Sequence, residues 1–242
     1  MKPYLLLSTR QHAAAAAGEW RSTAAAAGLA ATDLVQLRLD QAPLGRLDTG
    51  AYSGFILGGS DFCASAPGKS PLQQRVEADL GGLLDAVLEQ DLPFFGLCYG
   101  VGLLTCHLGG EVDGTHREDV GPVPVTLTEA GRADPLLDGL PDVFHAFVGH
   151  KEAARRLPAS AVLLAVGDVC PAQLFRVGAN VYASQFHPEL DAAGLVERMR
   201  IYQDYGYFDP SDLDRLAAAA YASPVNGTPG RLLRNFVRRH AR

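Results

Sequence analysis

The sequence predicts an α/β protein in which a mostly parallel, open sheet is flanked by helices. Strand-like and helix-like segments alternate through the first half of the chain, as expected for a parallel sheet with helical crossovers. The second half adds short strands joined by turns, and helices return towards its end. With 242 residues, of which 48% are hydrophobic and 20% charged, the chain can bury a substantial core.

In the first half, each strand-like segment is followed by a loop or a helix-like segment. Tyr4 to Ser8 is an apolar run with the length of a buried strand, and residues 11–30 are rich in alanine, the strongest helix former. Apolar residues recur at helical spacing between Ser70 and Glu89. The prediction for this half is strands at 4–8, 34–39, 54–57 and 93–97, and helices at 11–30, 70–89 and 99–108.

The second half replaces this alternation by strands joined through turns, followed by helices. The predicted strands are 123–128, 161–166, 173–177 and 180–185, and the predicted helices are 191–205, 210–222 and 230–240. Because no repeat or low-complexity linker divides the chain, we expect one domain over residues 1–242, with a helical C-terminal extension from about residue 191. Nothing in residues 191–230 matches a catalytic role.

Charge and cysteine usage narrow the class of protein. The net charge of −6 argues against a nucleic-acid partner, because phosphate contacts need clustered Lys and Arg. No apolar run reaches the ~20 residues of a membrane span, and the N-terminal segment lacks the apolar core and cleavage site of a signal peptide. The four cysteines form no Cys-x-x-Cys pair, which favours a reducing compartment. We therefore expect a cytoplasmic protein without a membrane or nucleic-acid partner.

One cysteine stands where the fourth strand turns sharply into a helix, in the segment Gly96-Leu97-Cys98-Tyr99-Gly100. A tight strand-to-helix turn tolerates only small neighbours, and it can present a nucleophile at its tip. The nearby helix N-terminus favours thiolate over thiol. The N–H of Tyr99 would then point to a developing oxyanion. The pentapeptide alone fits a nucleophile and an ordinary buried turn equally well.

A thiol nucleophile needs a base, and the base needs a group that orients it. His187 is the best candidate among the seven histidines, because it ends a predicted strand in the segment Gln185-Phe186-His187-Pro188-Glu189. Pro188 ends the strand, and Glu189 can reach back to one imidazole nitrogen while the other faces Cys98. A His-Pro-Glu segment alone could also be a simple turn.

A pair of glycines, Gly58 and Gly59, follows the third strand. Glycine lets the backbone approach a substrate closely and turn an N–H group towards it. The N–H of Gly59 is therefore the candidate for a second oxyanion donor, beside that of Tyr99. A plain turn is the other explanation of this pair.

Taken in order, Gly-Gly-Ser, Gly-Leu-Cys-Tyr-Gly and Gln-Phe-His-Pro-Glu resemble the class I glutamine amidotransferase family. The likeness is greatest to free-standing members similar to the glutaminase domain of GMP synthase, and it extends from the first strand to Glu189. The resemblance implies a flavodoxin-like sheet and an enzyme that attacks the side-chain amide of glutamine. It implies Cys98 as nucleophile, His187 as base and Glu189 as its orienting group, with a thioester intermediate and release of ammonia.

The resemblance also implies what binds to the protein. The substrate is a small molecule, glutamine or a γ-glutamyl compound. No phosphate-cradling glycine-rich loop is present, so we expect any ammonia-accepting enzyme to be a separate partner. The spacing of Cys106, His107 and His116 fits no standard zinc pattern. We expect neither a metal ion nor a cofactor.

One position departs from the family pattern Gly-x-Cys-x-Gly-x-Gln. Gly102 stands where the family has a glutamine that helps to hold the amino-acid end of the substrate. Two alternatives to a glutaminase follow: a γ-glutamyl peptidase or amidase with the same Cys-His-Glu set, and a non-catalytic binding protein that keeps the fold. A softer likeness covers Phe147 to Glu152, and it implies a position near the substrate cleft for His150. A surface turn is the other explanation, because histidine is often exposed.

Overall fold

The computed structural model describes residues 2–242, and across this range a nine-stranded mixed sheet forms the centre of the molecule. A separate two-stranded sheet, β5 with β8, lies beside it. The strands are β1 (Tyr4–Ser8), β2 (Leu34–Arg38), β3 (Gly54–Leu57), β4 (Phe94–Leu97), β5 (Glu111–Asp113), β6 (Glu118–Leu127), β7 (Val143–His150), β8 (Ala153–Arg156), β9 (Ala161–Val166), β10 (Leu174–Val177) and β11 (Val181–Ser184).

The strand order in the main sheet is β2-β1-β3-β4-β11-β10-β9-β6-β7. The first five strands pair in parallel, and the last four are added by antiparallel pairing. The predicted α/β class, with a parallel sheet and strands added from the second half, is confirmed. The carboxyl ends of the parallel strands meet at one edge of the sheet, which is where open α/β sheets place ligands.

Seven α-helices cover the sheet within residues 2–242. They are α1 (Ala13–Ala27), α2 (Pro71–Gln90), α3 (Tyr99–His107), α4 (Glu129–Ala133), α5 (Ala192–Ile201), α6 (Leu213–Tyr221) and α7 (Gly230–His240). No helix of the described chain is both long and apolar enough to cross a membrane.

Strand β1 shows why a strand of the parallel half can be a continuous apolar run in the sequence. Alternate side chains of a strand point to opposite faces, and both faces are covered here. Leu5 and Leu7 join the core cluster under α2 and α3, whereas Tyr4 and Leu6 join the cluster under α1 and α7. Burial on both faces is typical of parallel sheets between helical layers.

Three strands of the second half were not predicted: β5, β7 and β8. Strand β6 also begins at Glu118, earlier than the predicted residue 123. Pro122 and Pro124 obscure it, because proline cannot donate a ladder hydrogen bond. The fold accommodates both prolines where β6 pairs with β7 alone, since β9 joins β6 only at Thr126 and Leu127.

Helix α5 and the segment after it lie at the carboxyl edge of the sheet, beside Cys98. Helix α5 packs beside α1 and α6, and a third apolar cluster joins α5 and α6 to Phe147 of β7. The segment between α5 and α6 brings Tyr202 and Tyr207 to the end of β4. Residues between 195 and 208 therefore form a wall beside Cys98.

Candidate active site

The turn between β4 and α3 has a backbone that a side chain rarely adopts. Cys98 has φ 50° and ψ −83°, in the positive-φ region that favours glycine. The turn is tight as well, because a Cβ on Gly96 would approach the Cα of Gly100 to 2.9 Å. The backbone N–H of Cys98 donates to the carbonyl of Ser184 at 2.7 Å, which ties the turn to β11. A strained residue held by its surroundings is a common feature of functional sites.

His187 and Glu189 follow β11 and are almost completely buried. The backbone N–H of His187 donates to the carbonyl of Phe147 at 2.9 Å, so β7 fixes the position of the imidazole. Nδ1 of His187 lies 2.8 Å from Oε1 of Glu189. A carboxylate can only accept a hydrogen bond, so Nδ1 of His187 carries the hydrogen and donates it to Glu189. In the neutral imidazole Nε2 then keeps a free electron pair.

Arg198 of α5 completes this arrangement. Its Nη1 donates to the same Oε1 of Glu189 at 2.9 Å and lies 3.3 Å from Nδ1 of His187. The carboxylate therefore neutralises a guanidinium while it orients the imidazole. No sequence pattern marks this arginine, because only the fold brings the second turn of α5 against the His-Pro-Glu segment.

The charges of the site place thiol and imidazole in their neutral forms. Burial raises the pKa of the Cys98 thiol to about 12, although the nearby Arg10 acts in the opposite direction. Burial lowers the pKa of His187, opposed by the carboxylate of Glu189. Burial would raise the pKa of Glu189, but His187 and Arg198 reverse this, and the pKa lies below its usual value. The resting pair is therefore a thiol beside a neutral base.

Two backbone N–H groups are available near the sulfur. Tyr99 is the first residue of α3, so its N–H has no partner within the helix. Among residues 2–242, neither this N–H nor that of Gly59 donates a hydrogen bond to another backbone or side-chain group. Gly59 lies on the loop after β3, beside His187, and Tyr99 directly follows Cys98 at the start of α3.

The glycine pair at 58 and 59 rests on a buried ion pair. Nε of Arg10 donates to Oε1 of Glu19 at 3.0 Å, and both side chains are buried. A Cβ on Gly58 would overlap the Glu19 carboxylate, and one on Gly59 would overlap Nη2 of Arg10 and lie 3.3 Å from Cε1 of His187. Both glycines are thus required by close approach. Arg10 and His187 flank the same point beside Gly59.

A cavity opens on the His187 side of the thiol, and we call it the Arg10 cavity. It has a volume of about 50 Å³, and its walls are mostly apolar. The residues around it are Arg10, Ser60, Cys98, Val120, Val148, Gly149, His187, Leu190, Leu195, Arg198, Met199, Tyr202, Tyr207 and Phe208. Six of these lie in the extension after residue 191, for which the sequence predicted no catalytic role.

A second cavity lies on the other side of the thiol, and we call it the Glu152 cavity. Cys98, Tyr99, Gly102, Glu152 and Gln185 are among the residues that line it. Nε2 of Gln185 lies 3.7 Å from Sγ of Cys98. The thiol therefore stands between two cavities, with the imidazole at the Arg10 cavity and the glycine of α3 at the Glu152 cavity.

His150 lies at the end of β7 and is buried, not in a surface turn. Its side chain borders the Glu152 cavity, but both ring nitrogens are engaged inside the protein. Nε2 lies 2.8 Å from Oε2 of Glu118, and Nδ1 lies 3.0 Å from the backbone carbonyl of Glu152. With Cys170, Glu118 and His150 form a buried group of three potential metal-ligand side chains. Nε2 is occupied by Glu118, and Nδ1 contacts the backbone of Glu152. The imidazole therefore links the end of β7 to the segment that carries Glu152.

A sequence model described as glutamine amidotransferase class-I matches residues 73–195, about half of the chain. This range contains Cys98, His187 and Glu189. The chain belongs to the class I glutamine amidotransferase family. The recognition made from the Gly-Gly-Ser, Gly-Leu-Cys-Tyr-Gly and Gln-Phe-His-Pro-Glu segments is thereby confirmed.

Curated relatives match this class I amidotransferase chain over less than half of its length. The GMP synthase (glutamine-hydrolysing) of Bacillus mycoides is 32% identical over 107 residues, which are 44% of this chain and 20% of that protein. The GMP synthase of Aeropyrum pernix is 36% identical over 104 residues, 43% of this chain and 20% of that protein. The matched region spans about a fifth of the length of these relatives.

Solved structures share the amidotransferase fold over nearly the whole chain. A glutamine amidotransferase from Thermotoga maritima superposes with a TM-score of 0.78 at 21% identity, covering 99% of this chain and 98% of that one. One from Methylobacillus flagellatus gives a TM-score of 0.77 at 20% identity, covering 100% and 96%. The C-terminal helices therefore lie within the region of shared fold.

Sequence reasoning missed three charged residues that border the thiol of this class I amidotransferase chain: Arg10, Glu152 and Arg198. Each comes from a different part of the chain. One signal was present for Arg10, since it directly follows the end of β1, at the edge where parallel strands place ligands. Glu152 ends the segment of softer family likeness, but that likeness singled out His150, and no pattern marks Arg198.

Proposed function

We propose that the chain is a cysteine-dependent hydrolase of the glutaminase type, which cleaves the side-chain amide of glutamine through a thioester. One observation supports this most directly. The Cys98 thiol stands at a strained turn and shares a cavity with the imidazole of His187, which Glu189 and Arg198 hold in one orientation. Arrangements of nucleophile, base and orienting group are the signature of covalent catalysis.

In the proposed reaction, Nε2 of His187 takes the thiol proton as Sγ of Cys98 attacks the amide carbon. The N–H groups of Gly59 and Tyr99 would bind the resulting oxyanion, in the manner of an oxyanion hole. His187 then gives its proton to the departing nitrogen, the C–N bond breaks, and ammonia leaves. Water, activated by the same imidazole, hydrolyses the thioester to glutamate and restores the thiol. In this proposal Gly58 shapes the loop that presents the N–H of Gly59.

The resting charges suit this order of events. Because burial raises the pKa of Cys98 and lowers that of His187, the thiol proton stays on sulfur until substrate arrives. Arg10 lowers the pKa of Cys98, against the effect of burial. It would therefore stabilise the negative charge on sulfur as the proton moves to the imidazole. Thiolate formation and attack are then coupled.

The proposal extends to the partner, the cellular compartment and the domain organisation of the enzyme. The matched GMP synthases are named as glutamine-hydrolysing and are about five times as long as the matched region. We infer that ammonia released by this chain passes to a separate acceptor enzyme. All four cysteines are unpaired, and this supports a reducing compartment, the cytoplasm. We further propose that residues 1–242 act as one domain, in which the extension from about residue 191 supplies the wall beside Cys98.

A γ-glutamyl peptidase or amidase is the second candidate, and Gly102 favours it. Where the family pattern has glutamine, this chain has no side chain, and Glu152 fills the space. The mostly apolar Arg10 cavity adds room on the side of the imidazole. Substrates with a leaving group larger than ammonia would use the same thiol and imidazole. His150 would act on substrate only through Glu152, whose backbone it holds.

Ammonia release from L-glutamine tests the first candidate. We expect the purified chain to release ammonia, Cys98→Ala to abolish it, and Cys106→Ala, which alters an exposed thiol, to leave it intact. Cleavage of γ-glutamyl amides without ammonia release from glutamine would favour the second candidate. A glutamine-analogue electrophile, 6-diazo-5-oxo-L-norleucine, is expected to label Cys98 in either case. Absence of both labelling and turnover would leave a non-catalytic binding protein.

A further inference from the structure

The two cavities beside Cys98 are on chemically different sides of the thiol, if the proposed function is correct. The general acid must reach the nitrogen that departs, so the leaving group lies on the side of the imidazole. His187 borders the Arg10 cavity, whereas Gly102 and Glu152 border the other cavity. The Arg10 cavity is therefore the leaving-group side, and the acyl portion of the substrate lies towards Glu152.

The Arg10 cavity is larger than ammonia requires. A single buried water, a molecule of similar size, needs about 10–15 Å³, whereas this cavity has about 50 Å³. The space would take on the order of four such groups, which is more than the single nitrogen of ammonia needs. Leu195, Met199 and Phe208 contribute apolar side chains to its walls. Such walls fit an aliphatic group.

Arg10 brings a positive charge to the wall of the same cavity. Arg10 is 4% exposed, and its ion pair with Glu19 uses Nε, which leaves the two terminal Nη groups outside that pair. The guanidinium lies against the ring of Tyr202 at 5.3 Å, which fixes its plane. A planar guanidinium with two terminal nitrogens matches the two oxygens of a carboxylate.

Arg198 also borders the cavity, but its guanidinium already serves another group. Nη1 donates to Glu189 and lies beside Nδ1 of His187. A carboxylate drawn to Arg198 would compete with the group that orients the imidazole. Arg10 is the cation whose own partner lies away from the imidazole, because Glu19 packs beneath Gly58.

We propose that the chain hydrolyses γ-glutamyl-amino acids whose leaving amino acid has an aliphatic side chain, and that Arg10 binds the α-carboxylate of this leaving amino acid. In the first step Sγ of Cys98 bonds to the γ-carbonyl carbon, the C–N bond breaks, and His187 passes the thiol proton to the departing α-amino nitrogen. Water then cleaves the thioester. The products are glutamate and the free amino acid, and no oxidant or cofactor is needed.

A matched pair of substrates tests the role of Arg10. γ-Glutamyl-leucine and γ-glutamyl-3-methylbutylamide differ only in the α-carboxylate of the leaving group. We expect kcat/KM to be at least about tenfold higher for γ-glutamyl-leucine, as for one charge-assisted bidentate pair. Because both substrates are measured on the same preparation, their ratio does not depend on the fraction of folded enzyme.

Arg10→Lys is the informative variant, since it keeps a cation for Glu19 but removes the planar fork. We expect the ratio of the two substrates to fall towards one in Arg10→Lys and to stay at its wild-type value in Arg155→Lys, an exposed control. We further expect Leu195→Ala to lower the preference for γ-glutamyl-leucine over γ-glutamyl-glycine by roughly tenfold.

The results that overturn the inference differ from those that overturn the function. A wild-type ratio near one, or an unchanged ratio in Arg10→Lys, removes Arg10 as the carboxylate site. Ammonia release from glutamine without cleavage of γ-glutamyl-leucine rejects the substrate class and leaves the glutaminase proposal standing. No turnover of any of these substrates and no labelling of Cys98 would reject both.

Discussion

Oε1 of Glu152 lies 3.1 Å from the point where a Cβ on Gly102 would stand. The Glu152 carboxylate is itself fixed, because it accepts hydrogen bonds from the N–H groups of Ala64 and Ser65 and from the Ser65 hydroxyl. Oε1 therefore cannot retreat without loosening the loop after Gly59. The glycine in α3 and the glutamate after β7 therefore share one space, in which the carboxylate of Glu152 compensates sterically for the missing side chain at residue 102.

This relationship predicts a coupling between the two positions. Glycine inside a helix costs about 0.5–1 kcal/mol relative to alanine, but a Cβ at residue 102 would crowd both Glu152 and Ala64. We expect Gly102→Ala to lower the free energy of unfolding by about 1 kcal/mol, within the usual range for overpacking. In the background of Glu152→Ala, the same change is expected to be neutral or stabilising. Urea unfolding of the four proteins measures the coupling.

The control for that cycle is Gly82→Ala in α2, where a Cβ would meet nothing within 4 Å. We expect this change to raise the free energy of unfolding by about 0.5–1 kcal/mol through helix propensity. Equal effects of Gly102→Ala in the wild-type and Glu152→Ala backgrounds would contradict the proposed compensation.

The pH dependence follows from the burial of His187. Because its pKa is lowered, the neutral base persists to a pH below the ordinary value for histidine, about 6.5. We expect the acid limb of kcat/KM to fall below that pH. Arg198 contributes to the lowering, so Arg198→Met is expected to move the acid limb to higher pH. Arg200→Met, an exposed change on the same helix, should leave the limb in place. A limb that moves downward in Arg198→Met would contradict this electrostatic role.

Glu189 and Cys98 are expected to differ in the severity of their loss. Cys98→Ala removes the nucleophile, so activity is expected to vanish. Glu189→Gln keeps an oxygen for Nδ1 of His187 but loses the negative charge that also holds Arg198. We expect kcat to fall by about 10²–10⁴-fold while residual activity stays measurable. We would measure kcat of both variants in steady-state kinetics with a γ-glutamyl substrate, after excluding contamination by the wild-type enzyme. An equal and complete loss in both variants would count against an orienting role.

The sequence predicted those parts of the site that depend on local patterns. Cys98 lies in a turn whose glycines fix its geometry, and His187 and Glu189 are separated by one proline. The parallel half of the sheet was equally accessible, because its strands are apolar runs between helices. Arg10, Glu152 and Arg198 were missed because their roles depend on distant partners: Glu19 beneath Gly58, the glycine at 102, and the His-Pro-Glu turn. The first part of strand β6 was missed because it contains two prolines.

The strained backbone of Cys98 leads to a last prediction, on stability. A non-glycine residue with φ 50° and ψ −83° costs of order 1–3 kcal/mol. Glycine relieves that cost, so Cys98→Gly is expected to raise the free energy of unfolding by about 1 kcal/mol while it abolishes activity. Denaturant unfolding of this variant beside Cys98→Ala separates relief of strain from loss of the buried thiol, because alanine keeps the Cβ and the strain.

Asp91 provides a comparison, since it also has a positive φ, 48°, but its ψ of 45° places it in the left-handed helical region, which aspartate tolerates better than the backbone of Cys98. Its carboxylate accepts hydrogen bonds from the N–H groups of Ala179 and Asn180, which join the end of α2 to the turn before β11. Asp91→Gly relieves strain but removes those bonds, so we expect it to destabilise the protein by about 1–3 kcal/mol. The side chain of Cys98 receives no hydrogen bond from a backbone group among residues 2–242, whereas that of Asp91 links two elements through such bonds. This difference is the pattern expected where a side chain is held for chemistry and not for structure. Stabilisation by Asp91→Gly, or destabilisation by Cys98→Gly, would contradict this distinction.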